Sequence, residues 1–369
     1  MSAAPGPGRP RSAPRAAVLV LVVTAAVSLG LGALGLPSPV LFGALVGGMA
    51  HALTSPTELR VPPAAFRVGQ GVIGVTIGAM VSVAALQQAG RDLLPIGLVT
   101  LGTLALSLGA GRLLTLRRDV SPVTGAFALI AGGASGIVAV ARDLGADERV
   151  VTVVQYLRVL VVLLAMPLVT SVVFAPAGGA GGPGDAGVTG AAGSDGGALA
   201  TETGFVLVSL VLGLALARAL PVPTGVLLWP MLVAAVLAAT GWLGAAGVPV
   251  VVQWVGYLLI GVQVGLRFTR ESLRSIARML PVVLVLIAGL VVSTAAMGAV
   301  LARATEVDGL TAYLATTPGG LFAVLATAAD SGADVTYVLA VQVLRLVVIL
   351  LLTPLLARWL RPDAGPSSR

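Results

Sequence analysis

Gln155-Tyr156-Leu157-Arg158 and Gln342-Val343-Leu344-Arg345 are the stretches that decide how this chain is read. Each lies inside an apolar run long enough to cross a bilayer. Upstream of the first are Gly132-Gly133 and Gly145-Ala146-Asp147, and downstream is Pro167. Upstream of the second are Gly319-Gly320 and Gly332-Ala333-Asp334, and downstream is Pro354. Every member of the first set precedes its counterpart by 187 positions. An arginine in the hydrocarbon costs roughly 2.5–3.5 kcal/mol on insertion scales. A chain that bears this cost twice, at matched places, is expected to use both arginines.

Composition sets the solvent. Of 369 residues 57% are hydrophobic and 10% charged, with a mean hydropathy of +1.04. No soluble domain of this length hides so much apolar surface, so lipid is expected around much of it. With no Cys, disulfides, thiolate metal sites and Cys nucleophiles are excluded, and with His51 as the one histidine an imidazole metal centre is too. No cofactor and no enzymatic activity are expected. The net charge of +7 comes from arginine alone, and the pI is about 11.1. In a membrane protein such a balance reflects basic cytoplasmic loops rather than direct nucleic-acid binding, for which there is no zinc-finger spacing and no soluble reading head.

Residues 1–15, rich in Pro, Gly and Arg, are expected to be disordered, with the first span uncleaved after them. Apolar stretches follow near 16–35, 39–54, 66–86, 93–116, 122–142 and 150–173, so that 16–175 forms a first membrane repeat. Residues 176–200 are Gly/Ala/Pro-rich with Asp185 and Asp195, and read as a flexible linker. A second series near 203–220, 223–240, 250–266, 277–303, 309–329 and 335–358 makes 201–362 the second repeat, with 363–369 as a tail. Gly74 and Gly78 match Gly261 and Gly265 at the same offset, and Leu36-Pro37-Ser38-Pro39 matches Leu220-Pro221-Val222-Pro223. A period this long fits the two-fold repeat of membrane transporters. The paired GxxxG motifs allow close helix packing, within the chain or in a homodimer.

Loop charges bear on orientation. Arg9, Arg11 and Arg15 place the N-terminus inside. If 122–142 and 309–329 enter and return on one side, the arginines near 60, 112, 142, 218, 270 and 360 fall inside. The acidic linker, Glu306, Asp308, Asp330 and Asp334 then fall outside, and only Arg91 and Arg303 are misplaced. The fold expected is therefore an all-α polytopic membrane protein. It has two inverted repeats of about five transmembrane helices, each with one broken or re-entrant element, and both termini on the cytoplasmic face of the plasma membrane.

The Gln-x-x-Arg spacing puts both side chains on one helix face. At 1.5 Å per residue Arg158 lies about 12 Å into a span that begins near 150, and Arg345 about as deep in its own. Inverted copies would bring the two together near the middle of the bilayer, where transporters hold substrate. Ala131-Gly132-Gly133-Ala134-Ser135-Gly136 and Thr316-Thr317-Pro318-Gly319-Gly320 interrupt the preceding apolar segments. Such backbone is tolerated in lipid only where it is buried in protein or lines a cavity. The candidate substrate-binding residues are Gln155, Arg158, Gln342, Arg345, Gly132, Gly133, Ser135, Thr316, Thr317, Gly319 and Gly320. Two plainer readings stand beside this one: each arginine caps carbonyls released by its broken neighbour, and the glycines serve close packing. Asp143, Asp147, Asp330 and Asp334 read as loop residues or helix N-caps, and His51 as an interfacial side chain.

Pro318-Gly319-Gly320, Gly332-Ala333-Asp334 and Gln342-x-x-Arg345, with their first-half counterparts, resemble the AbrB-type duplicated membrane protein family from about residue 16 to 360. The first copy departs from the pattern by having Ala131 where the second has Pro318. The resemblance implies two functional labels: transcriptional regulator, acting on gene expression, and ammonia monooxygenase. An oxygenase needs His, Cys or clustered carboxylate ligands, which this chain lacks. The residues favour a secondary transporter or exporter of a small anionic solute, with a membrane-embedded regulator acting through a partner as the alternative.

Overall fold

The computed structural model describes residues 13–55, 59–117, 120–130, 141, 144–174, 196–222, 224–242, 247–270, 274 and 277–359. The expected first-copy break, with Gly132, Gly133 and Ser135, lies outside the described residues. So do residues 1–12, 176–195 of the expected linker, and the tail. Among the described residues the chain is helical, with no strand.

The first half contributes α1 (Ala13–Ala33), α2 (Pro39–Thr54), α3 (Pro63–Ala79), α4 (Val83–Arg91), α5 (Leu93–Leu114), α6 (Pro122–Leu129) and α7 (Glu148–Val173). The second contributes α8 (Gly196–Ala219), α9 (Gly225–Thr240), α10 (Val250–Gly265), α11 (Leu280–Ala304), α12 (Gly309–Thr316), α13 (Leu321–Ser331) and α14 (Val335–Trp359). Helix α8 thus begins five residues before the expected end of the linker. Among the described residues five helices are long and apolar enough to cross a membrane, or six if α3 and α4 count as one bent span. Leucines and valines stay exposed along α1, α5, α8 and α11, as on surfaces that meet acyl chains rather than water. These features make the chain a multi-pass membrane protein.

The stretch 66–86, expected as one span, is two helices meeting at 89°. Helix α3 stops at Met80, and Ser82 starts the next helix by accepting the Ala85 N–H. The Ser82 N–H is in turn held by Thr336 Oγ1 at 3.0 Å, so a residue of α14 fixes the corner.

Glycines set how the long elements meet. A methyl group on Gly261 would come 2.4 Å from Leu41 O, and one on Gly265 2.2 Å from Leu45 O. The contact advances one turn on both helices together, so α2 and α10 run side by side in the same direction. Gly74 and Gly78 meet Leu227 O and Met231 O in the same way, at 2.4 and 2.3 Å, which pairs α3 with α9. Between α3 and α10 the order reverses. Gly69 faces Leu259 while Gly256 faces Val72, so these two helices cross antiparallel. The GxxxG motifs therefore serve packing within the chain. Helices α5 and α11 pack against each other; α6 packs on α5 and α7, and α12 on α11 and α14.

Candidate functional site

Two short helices and two long ones build the centre. Helix α12 is started by Asp308, whose carboxylate accepts the Thr311 N–H at 2.9 Å. It ends at Thr316 because Thr317 turns extended ahead of Pro318. The chain then re-enters a helix at Leu321 and closes at Gly332, whose φ of +76° suits a residue without Cβ. The Asp334 N–H donates to Thr311 Oγ1 at 2.8 Å. The two ends of the 309–334 segment therefore meet at one place, at the start of α14. The first half repeats this with other side chains. Ser121 Oγ accepts the Thr124 N–H, and the Asp147 N–H donates to Thr124 Oγ1 at 3.0 Å. Asp147 and Asp334 also cap α7 and α14, accepting from Val150 N and Tyr337 N respectively.

The Gln-x-x-Arg residues face the inner ends of the short helices. Arg345 lies ten residues into α14, about 15 Å along it. Its Nη1 donates to Thr317 O at 3.0 Å and its Nη2 to Gln342 Oε1 at 2.5 Å. Gln342 Nε2 reaches Leu314 O, Ala315 O and Thr317 O at 3.0–3.2 Å. In the first half Gln155 Nε2 donates to Phe127 O at 2.9 Å and Arg158 Nη1 to Leu129 O at 3.0 Å. All four side chains are buried. Each arginine thus sits at the negative end of a helix dipole and satisfies carbonyls that the helix leaves open.

Among the described residues the two halves differ in how fully these groups are used. Among the described residues, Arg158 Nε and Gln155 Oε1 are buried without a hydrogen-bond partner. Two cations in a low-dielectric interior, one with an unused donor, are suited to an anion between or beside them.

The second-half break reaches toward the first-half arginine helix. A methyl on Gly319 would meet Val162 and Met166, and one on Gly320 would meet Val159, the residue after Arg158. Gly319, Gly320, Leu321 and Phe322 are half-exposed, whereas the helix before them is almost wholly buried. Thr316 and Thr317 turn their hydroxyls onto backbone carbonyls, Thr294 O and Tyr313 O among them, and are buried there.

One polar cluster was not legible in the sequence. Asp330, near the end of α13, accepts hydrogen bonds from Ser38 Oγ at 2.6 Å and from Tyr257 OH at 3.3 Å. Ser38 sits at φ 51°, in the left-handed region, between Pro37 and Pro39. Only that Pro-Ser-Pro kink hinted at a special position. His51, in the last turn of α2, is buried. Among the described residues no three His, Asp or Glu side chains converge to hold a metal ion.

Comparison with known proteins places the chain among relatives. A model of the family described as "Transition state regulatory protein AbrB" matches residues 40–361. A protein of Escherichia coli (strain K12) named "Putative regulator AbrB" is 34% identical over 350 residues, covering 95% of this chain and 98% of its own length. "Uncharacterized protein YhjN" of Bacillus subtilis (strain 168) is 22% identical over 352 residues, covering 90% of each.

Proposed function

We propose that this chain, which belongs to the AbrB family, is a secondary transporter of a small anionic solute in the plasma membrane, built of two inverted repeats with both termini cytoplasmic. The supporting observation is the pair of matched short-helix segments. Each starts and ends at the head of a long helix, and each has its inner end held by a Gln-x-x-Arg pair. A segment that returns to its own side leaves an odd number of crossings per half, which inverts the second copy. The antiparallel crossing of α3 and α10, which correspond at the 187-residue offset, agrees with this. So does the charge pattern of the loops.

In this reading Arg158 and Arg345 approach the midplane from opposite faces and neutralise the solute. Gln342 accepts from Arg345 and so orients it, Gln155 Oε1 is left to meet the solute, and the half-exposed Gly319-Gly320 turn gives the solute access to the start of α13. Alternating access follows if one half's segment shifts against the other's long helix. The test is a stabilisation screen of the purified protein with small mono-, di- and tricarboxylates and phosphates, followed by flux of the best hit in liposomes. Arg158→Ala and Arg345→Ala are expected to abolish flux while still reaching the membrane. Undiminished flux in either variant would refute the assignment.

The name of the Escherichia coli relative supports a second reading, a membrane-embedded regulator acting through a soluble partner. That reading requires a transcriptional effect that survives Arg158→Ala and co-purification of a specific soluble protein.

A further inference from the structure

The two ends of the molecule are not alike. Where α2 and α10 end, a cavity of about 920 Å³ opens, lined by His51, Thr54, Arg60, Gln263, Arg267 and Arg270 among others. Arg267 lies over the Tyr156 ring, 4.6 Å from its centroid, and donates to the Tyr156 hydroxyl. Tyr156 stands two residues before Arg158 on α7. Arg270 donates to Leu53 O, so its stem is pinned to the end of α2. The corresponding positions at the opposite end carry no cation. Arg267 corresponds to Met80, Arg270 to Val83, Gln263 to Thr76 and Arg60 to Gly247, all at the 187-residue offset. A methyl on Gly247 would lie 2.9 Å from a carboxylate oxygen of Glu202.

A bias toward basic cytoplasmic loops accounts for arginines on one side. It does not account for Arg60, Arg267 and Arg270 lining one cavity while Arg267 is held against Tyr156 on the helix that carries Arg158. We propose that this cavity is a binding site for a soluble anion with two or more negative charges, of phosphate or polycarboxylate type. It captures the solute at the basic end before transfer to the arginine pair. The inference rests on the transporter reading for the second step but not for the first.

The chain lacks cysteine, so a single Thr54→Cys in the full-length protein reports on this cavity. The protein is placed in phosphatidylcholine nanodiscs and its modification by an impermeant maleimide is timed with and without inorganic pyrophosphate. Saturating pyrophosphate is expected to slow modification by about tenfold, and Arg267→Gln or Arg270→Gln to weaken its apparent affinity by about tenfold each, the loss of one charge-assisted hydrogen bond. Val83→Cys, at the opposite end, is expected to be unaffected. Arg267→Lys is expected to recover part of the affinity. A lysine variant as weak as the glutamine one would mean that Arg267 only packs against Tyr156, and would count against the site. Lack of protection by pyrophosphate, protection indifferent to both glutamine variants, or protection only when phosphatidylglycerol is added each overturns the proposal. Repeating the measurement with Arg158→Ala separates the two readings. Protection is expected to persist there while flux is lost. Flux indifferent to Arg158→Ala, with protection intact, would sink the midplane reading alone.

Discussion

Replacing each buried arginine by methionine should have unequal consequences for stability. Methionine nearly matches the apolar stem, and either variant removes one buried charge. Relief of desolvation favours both replacements alike. The variants differ in the bonds they lose. Arg345→Met gives up two, to Thr317 O and Gln342 Oε1, whereas Arg158→Met gives up one among the described residues, to Leu129 O. Each variant orphans one acceptor: Leu129 O in one case, Gln342 Oε1 in the other, Thr317 O still being reached by Gln342. The net difference is one hydrogen bond to a charged group, about 1.5–3 kcal/mol, with Arg345→Met the less stable. Reversible unfolding in mixed micelles, titrated with dodecyl sulfate, measures it. Arg158→Met should unfold near the wild-type midpoint, yet lose the stabilisation conferred by an anionic solute. If Arg158→Met proves as unstable as Arg345→Met, Arg158 is a structural cap like its counterpart, and the case for an anion at its unused Nε fails.

Gly265→Ala should destabilise by about 1–3 kcal/mol or more through overpacking on Leu45 O, whereas Gly109→Ala, with nothing within 4 Å, should be neutral or slightly stabilising; thermal denaturation in detergent compares them. Asp334→Ala should cost about 0.5–2 kcal/mol as a lost cap of α14, visible as a lower unfolding midpoint and as faster amide exchange at Tyr337. Ser55→Cys and Thr305→Cys should react with an impermeant thiol reagent from opposite faces of oriented vesicles; labelling from the same face would remove the inverted arrangement.

Much of this architecture could be read from residue patterns because lipid leaves so few solutions. Long apolar runs had to become helices, and Pro-Gly-Gly before Gln-x-x-Arg had to be a break whose carbonyls needed a donor. The packing role of Gly74, Gly78, Gly261 and Gly265 was visible as a motif, but their partners were not, since nothing in GxxxG names the helix it faces. The corner at Met80 was hidden because it is held by Thr336, more than two hundred residues away. Asp330 was hidden for a related reason. In sequence it lies at the edge of an apolar stretch, like any loop acid, and only the fold brings Ser38 and Tyr257 to it. The unequal use of Arg158 and Arg345 was likewise illegible, because the two tetrapeptides are nearly identical.

The glycine contacts also bear on how such a molecule comes into being. Helix α2 lies along α10, and α3 along α9, so the main chain of each half is roofed by glycines from the other. Neither half presents a finished surface alone. The N-terminal polypeptide, leaving the ribosome first, must wait in the bilayer with its carbonyl ridges bare until the C-terminal one arrives. Severed between α7 and α8, the two fragments should assemble only when made together, as an obligate pair.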